Sequence, residues 1–340
     1  MSSSIGWIDF SSEHREKVRT VIDFLKEKGV IDELGIGVIR DSFADRMFPG
    51  ISTIQTRPKY FTLTALLLKD YAENEKHKRR PRSLERYLED EEKWCRISLV
   101  EAQQESGREE LGIVGATFGT RKDRDVVRKP SSIYWNGLRQ FGFFSPPDLS
   151  LSEFGRRLGD DRHHLHALLE EKGDDRGDDH DAVDQSHRIR ISTPTVPDHY
   201  WETLSIELIP EEADFLRSKI TSRQPDSLIG QILMDNAMMD EVLQLPDGAG
   251  YEDFSELPFI RSLKSEALRQ TVRHARDFWR LMEGAHIRYN CLLQELVGTS
   301  ELKESFEERW NDWHNRLPEY LEQWNTDFMW QTVSAHGSRV

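Results

Sequence analysis

Apolar residues recur at helical spacing along most of this chain. Val18, Val21, Ile22 and Leu25 fall on one face of a segment that Ser11 and Ser12 can cap and Gly29 can end. Leu34, Val38, Phe43 and Met47 mark a second helix over about 32–48. Pro58 suits the first turn of a third, with Tyr60, Leu63, Leu66 and Leu67 inward before the chain turns polar at 73–80. Leu84, Tyr87, Leu88, Trp94 and Cys95 place a fourth over 83–104. Residues 107–119 set Leu111, Ile113 and Val114 among several glycines and fit a short helix or a strand pair. Segments 131–142 and 151–158 are expected to be helical, with Pro146 and Pro147 in the loop between them.

Residues 173–184 carry six aspartates and almost nothing apolar, too little to offset the entropy of ordering, so a mobile linker is expected there. Ile189, Ile191, Pro194 and Pro197 suggest extended chain. Helices resume at Pro210, where Glu211 and Glu212 suit a first turn, again after Pro225, and over 262–296. His286, Arg288, Tyr289 and Asn290 interrupt the apolar pattern of that last helix, which points to a hydrogen-bonded lock between helices or to a ligand pocket. Trp310, Trp313, Leu317, Trp324 and Phe328 form a stripe near the C-terminus, with Pro318 expected to open a new helix. Trp310, Trp313 and Trp324 should be mostly buried, against the 265–296 helix or a partner chain. The pattern predicts a mainly α, multi-helix globular protein with few or short strands. Its divisions fall at 1–130 (a helical domain), 131–172 (a helical or winged-helix-like segment), 173–200 (linker and extended chain) and 201–340 (a second helical domain).

Composition narrows the function classes. The 340 residues can bury a substantial core, and the net charge of −15 argues against a whole-molecule grip on nucleic acid or an anionic membrane. Nucleic-acid binding would have to be local, through the basic stretches at 76–82 or 121–129. Two cysteines, Cys95 and Cys291, lie far apart in helical segments and are expected to be buried free thiols in a reducing cytoplasm. The N-terminus lacks the pattern of a signal peptide, and the longest apolar run, 65–68, is far short of a membrane span. A cytoplasmic protein with no membrane partner is expected.

The densest run of special residues is 48–61. Pro49 and Gly50 can stop one helix and Pro58 can start the next. Between them Ser52, Thr53, Gln55, Thr56 and Arg57, with Tyr60 just beyond, lie beside a helix N-terminus, whose free amides favour a phosphate or carboxylate. The bland alternative is that these groups cap helices and pair in cis with Asp41 or Asp45. Those two acids stand one helical turn apart and form a candidate carboxylate pair for Mg²⁺, or else surface pairs with Arg40 and Arg46. His163 and His166 lie near Asp160 and Asp161 but lack the spacing of a zinc helix, and no metal site is expected. Glu91 and Lys93 have a nuclease-like ExK spacing on a helix rather than a strand. No P-loop, GxSxG or dinucleotide-binding turn occurs, so no cofactor is expected and no catalytic signature is recognised.

Several stretches together carry a resemblance: WIDF at 7–10, DELGIG at 32–37, GISTIQTR at 50–57, IYWNGL at 133–138 and PEEADFLR at 210–217. They resemble the prokaryotic domain-of-unknown-function family numbered 6361, from residue 5 to about 330; the acidic insertion departs from its pattern. The resemblance implies a setting in anti-phage defence gene clusters, near helicases and phospholipase D-like nucleases, and carries no reaction with it. The resulting expectation is an accessory or scaffold subunit of an anti-phage defence complex, partnered by such a helicase or nuclease and in contact with DNA or a phosphate group. The alternatives are a metal-dependent nucleic-acid-processing enzyme using Asp41 and Asp45, and a winged-helix-like DNA-binding module near 131–158.

Overall fold

A computed structural model describes residues 36–73, 82–107, 112–159, 189–297 and 300–337. The expected first helix, the acidic stretch 173–184 and the His163/His166 pair lie outside the described residues. Helices dominate: α1 (Ile36–Met47), α2 (Lys59–Glu73), α3 (Leu84–Ser106), α4 (Pro130–Gln140), α5 (151–159), α6 (Pro210–Arg223), α7 (Leu228–Met234), α8 (Asn236–Leu243), α9 (Tyr251–Ser255), α10 (Pro258–Ser262), α11 (Glu266–Val297), α12 (Ser300–Gln323) and α13 (Thr326–Gly337). The strands among the described residues are β1 (Phe144–Ser145) and β2 (Arg190–Ile191), paired antiparallel with Phe144 opposite Ile191. Of the two alternatives for 107–119, the described residues show the short helix, a 3₁₀ turn at Ala116–Phe118 between glycine turns, and no strand pair.

α2 is the central element. Every residue from Lys59 to Leu68 is buried, so the helix is enclosed on all sides and not on the single face that its periodicity suggested. Tyr60, Phe61, Leu63 and Leu67 pack with Leu88, Cys95 and Leu99 of α3, with Tyr134 and Leu138 of α4, and with Leu216 and Ile220 of α6. A second cluster joins Phe43 and Met47 of α1 to Leu228 and Ile232 of α7, Phe259 and Ile260 of α10, and Leu268, Val272 and Ala275 of α11. Both clusters therefore combine residues from early and late in the chain. α3 is closed at both ends: the Ser83 hydroxyl accepts the Arg86 amide, and Gly107 adopts a left-handed cap.

The C-terminal helices differ from expectation in two ways. α12 runs straight through Pro318, because its packing along α11 holds a helix that lacks one N–H. Trp310 and Trp313 of α12, and Trp324 just past its end, are mostly buried as expected, with Trp310 against Arg288 and Trp324 against Phe278 of α11. The Trp313 indole donates to the Arg280 carbonyl at 2.7 Å, and its ring covers Gly284 so closely that no side chain would fit there. Finally, His286, Arg288 and Tyr289 are exposed, and Asn290 donates only to the His286 carbonyl. They are the solvent face of an amphipathic helix whose Ile287 and Cys291 turn inward, so they form neither lock nor pocket.

Candidate functional site

The 48–61 stretch turns between α1 and α2. Gly50 takes a positive φ of 82°, and a Cβ there would press on Gln140 and Gly137 of α4. Gly137 is its counterpart: a side chain on it would collide with the Gly50 carbonyl and the Phe61 ring. Gln55 closes the turn internally, accepting from the Ser52 amide at 3.2 Å and donating to the Gly50 carbonyl at 3.2 Å and the Ile133 carbonyl at 3.5 Å.

The amides of Thr56 and Arg57 donate to the phenol of Tyr134 at 2.8 and 2.9 Å, and that hydroxyl donates onward to the Arg57 carbonyl at 2.8 Å. Two of the backbone donors expected to await an anion are thus spent within the fold. Tyr60 accepts the Val114 amide at 2.9 Å, and burial raises its phenol above the ordinary range. Ser52, Thr53 and Thr56 remain on the outer surface, while the Arg57 side chain lies against Gly112.

Lys59, the first residue of α2, is fully buried. Its ammonium meets Glu212 at 2.6 Å and donates to the Glu207 carbonyl at 3.3 Å. Glu212 also accepts from Thr62 at 2.6 Å, Tyr200 at 2.7 Å and the Ile209 amide at 3.1 Å, so the carboxylate is fully surrounded by donors. Burial pulls the Lys59 ammonium below its ordinary range, and Glu212 opposes the shift. Thus the GISTIQTR, IYWNGL and PEEADFLR stretches converge on the start of α2.

Beside this junction, α3 supports a basic loop. The buried Arg96 guanidinium donates to the Gly119 carbonyl, to Arg121 O at 2.6 Å and to Arg124 O at 3.3 Å. Gly115 lets the loop descend, since a side chain there would strike Val126 and Arg96. The loop exposes Arg121, Lys122, Arg124 and Arg128. Residues 119–129 hold five basic and two acidic side chains, in a chain with a net charge of −15.

Under the loop, Glu92 of α3 is only 7% exposed. Its Oε1 accepts the Ser131 amide at 2.5 Å, and its Oε2 has no hydrogen-bond partner among the described residues. Burial pushes this carboxyl up to about 7, against the opposing pull of Ser131 and Lys129. Sequence inspection passed over Glu92, the middle residue of the ExK spacing. The available signal was its place on the same helical face as Leu88, Cys95 and Leu99.

Asp41 and Asp45 are not drawn into this region. Asp41 is exposed and paired with Arg40 at 2.8 Å, and Asp45 lies a turn further along α1. No group of three or more potential metal ligands gathers among the described residues. No helix among them is long and apolar enough to cross a membrane. Cys95 and Cys291 are both free and buried, and burial holds the Cys95 thiol protonated.

What the fold and site define is a mainly α protein with a buried helix-start junction and an adjoining basic loop. The chain belongs to a family of unknown function, DUF6361, whose model matches residues 1–305. No curated protein and no solved structure matches it.

Proposed function

We propose that the protein is a cytoplasmic accessory subunit of a prokaryotic anti-phage defence complex, touching the phosphates of nucleic acid through the face formed by the 52–57 turn and the 119–129 loop. The supporting observation is the basic loop itself. Arg96 is buried for the purpose of tying down three of its carbonyls, and the side chains so presented are cationic in an otherwise acidic molecule. Ser52, Thr53 and Thr56 are exposed and Arg57 partly so, on a turn whose Arg57 side chain lies against Gly112, a few residues before that loop. Family resemblance supplies the setting, with a helicase or a phospholipase D-like nuclease as the partner.

The test is co-purification of the full chain, expressed from its own gene cluster, with the neighbouring gene products, with and without DNA. Recovery of a helicase or nuclease, improved by DNA and weakened by Arg121→Glu/Lys122→Glu, is the expected result. A chain that retains no neighbour under either condition would remove the accessory-subunit assignment.

A further inference from the structure

A cavity lies between α2, α3 and the 113–130 segment, with about 20 Å³ of room, enough for a water-sized group. Apolar Leu63, Leu67 and Val126 form part of its wall, and Glu92 lines it. Most charged groups around it are already engaged. From α2, Tyr60 holds the Val114 amide. From α3, Glu89 pairs with Lys129 at 3.3 Å, Lys93 pairs with Asp125 at 2.6 Å, and Arg96 is committed to loop carbonyls. Burial keeps the Cys95 thiol neutral. Arg124 pairs only loosely with Asp123, at 4.0 Å. The unmet group is Glu92 Oε2.

A buried carboxyl oxygen without a donor is costly when ionised and useful when protonated, because it then carries an O–H to give away. Oε1 accepts the Ser131 amide, which leaves Oε2 as the end that bears the proton. With Glu92 protonated, the lining sets Lys93, Arg96, Arg124 and Lys129 against Glu89 and Asp125, a net positive rim. A group that accepts the Glu92 hydrogen bond and suits that rim is an oxyanion.

We propose that this cavity receives one oxygen of a phosphate-type oxyanion, hydrogen-bonded by the protonated Glu92 carboxyl and attracted by the basic rim, so that binding is linked to uptake of a proton. This deepens, and rests on, the phosphate-contact reading above. Ionised Glu92 would repel the same group. The carboxyl titrates where such linkage is visible, near neutrality.

Sulfate is the probe, since it keeps both charges between about pH 6 and about pH 8 and leaves any pH dependence to the protein. Calorimetric titration of the full chain at constant ionic strength should show sulfate binding about tenfold tighter at the lower pH, from the change in the protonated fraction of a group near 7. Repeating it in buffers of different ionisation enthalpy should show uptake approaching one proton per sulfate at the higher pH. Glu92→Gln should keep the low-pH affinity and lose the pH dependence. No sulfate binding, equal affinity at both pH values, or unchanged pH dependence in Glu92→Gln would overturn the proposal. A short single-stranded oligonucleotide forms the second arm. Oligonucleotide binding without proton-linked sulfate binding overturns the cavity proposal alone. Proton-linked sulfate binding without oligonucleotide binding upholds the cavity and assigns it to a small phosphate compound, against the nucleic-acid reading.

Discussion

Tyr134 and Arg57 are joined in both directions: the Arg57 amide donates to the phenol at 2.9 Å and the phenol donates back to the Arg57 carbonyl at 2.8 Å. With the Thr56 amide also on that oxygen, one side chain of α4 fixes the backbone entering α2. The same ring packs edge-on against Phe61 at 4.8 Å. The start of α2 is therefore organised by contacts from within the chain, and a ligand would meet its hydroxyl side chains and not these amides.

Tyr134→Phe removes the hydroxyl and keeps the ring. It strands two amides and a carbonyl, and should lower unfolding stability by about 1–3 kcal/mol in denaturant titration. An unchanged midpoint would show that the phenol does not hold the turn.

Lys59→Met should be the more damaging change, because it leaves the Glu212 carboxylate buried without its cation. Loss of one member of such a pair costs about 3–5 kcal/mol. The double variant Lys59→Met/Glu212→Gln should recover a substantial part of that loss. A double-mutant cycle with purely additive losses would mean that the two charges are not coupled.

Glu92 should give the protein a pH-dependent stability. Its folded value is about 7 against an ordinary 4.5, so in that interval the folded state holds a proton that the unfolded state has lost. The stabilisation is thus fully present below about 4.5 and is lost as pH rises through about 7, with a span of about 3 kcal/mol. Denaturation of wild type and Glu92→Gln across this range should show the wild type falling relative to the variant. Parallel curves would mean that Glu92 ionises normally in the folded protein.

Much of the helical framework was legible from the chain. The Leu84, Tyr87 and Leu88 spacing, the Ser83 cap and the proline openings at 58 and 210 each correspond to a helix of the fold. What the pattern could not supply was the partner of each face. Lys59 carried no signal in the pattern because its buried counterion lies 153 positions away. Glu92 was hidden by the same limit: periodicity puts it on an apolar face but cannot tell whether a donor waits there. At 286–290 the error ran the other way. Polar residues in an apolar run looked buried, although α11 simply has a wet face. The turn at 50–57 was conspicuous from its residue types, yet its dependence on Tyr134 and Gly137 needed the tertiary structure.

The direct test of the phosphate-contact account is the affinity of the full chain for a short DNA duplex, measured against salt concentration, for wild type and for Arg121→Glu/Lys122→Glu. Both side chains are exposed, so folding should be unaffected, which the melting temperature checks. Each phosphate contact contributes about −0.9 to the slope of log affinity against log salt. The account predicts measurable low-salt binding by the wild type, and in the variant weaker binding with a slope shallower by about 1–2. Equal affinity and equal slope in the two proteins, or no wild-type binding at low salt, would contradict it.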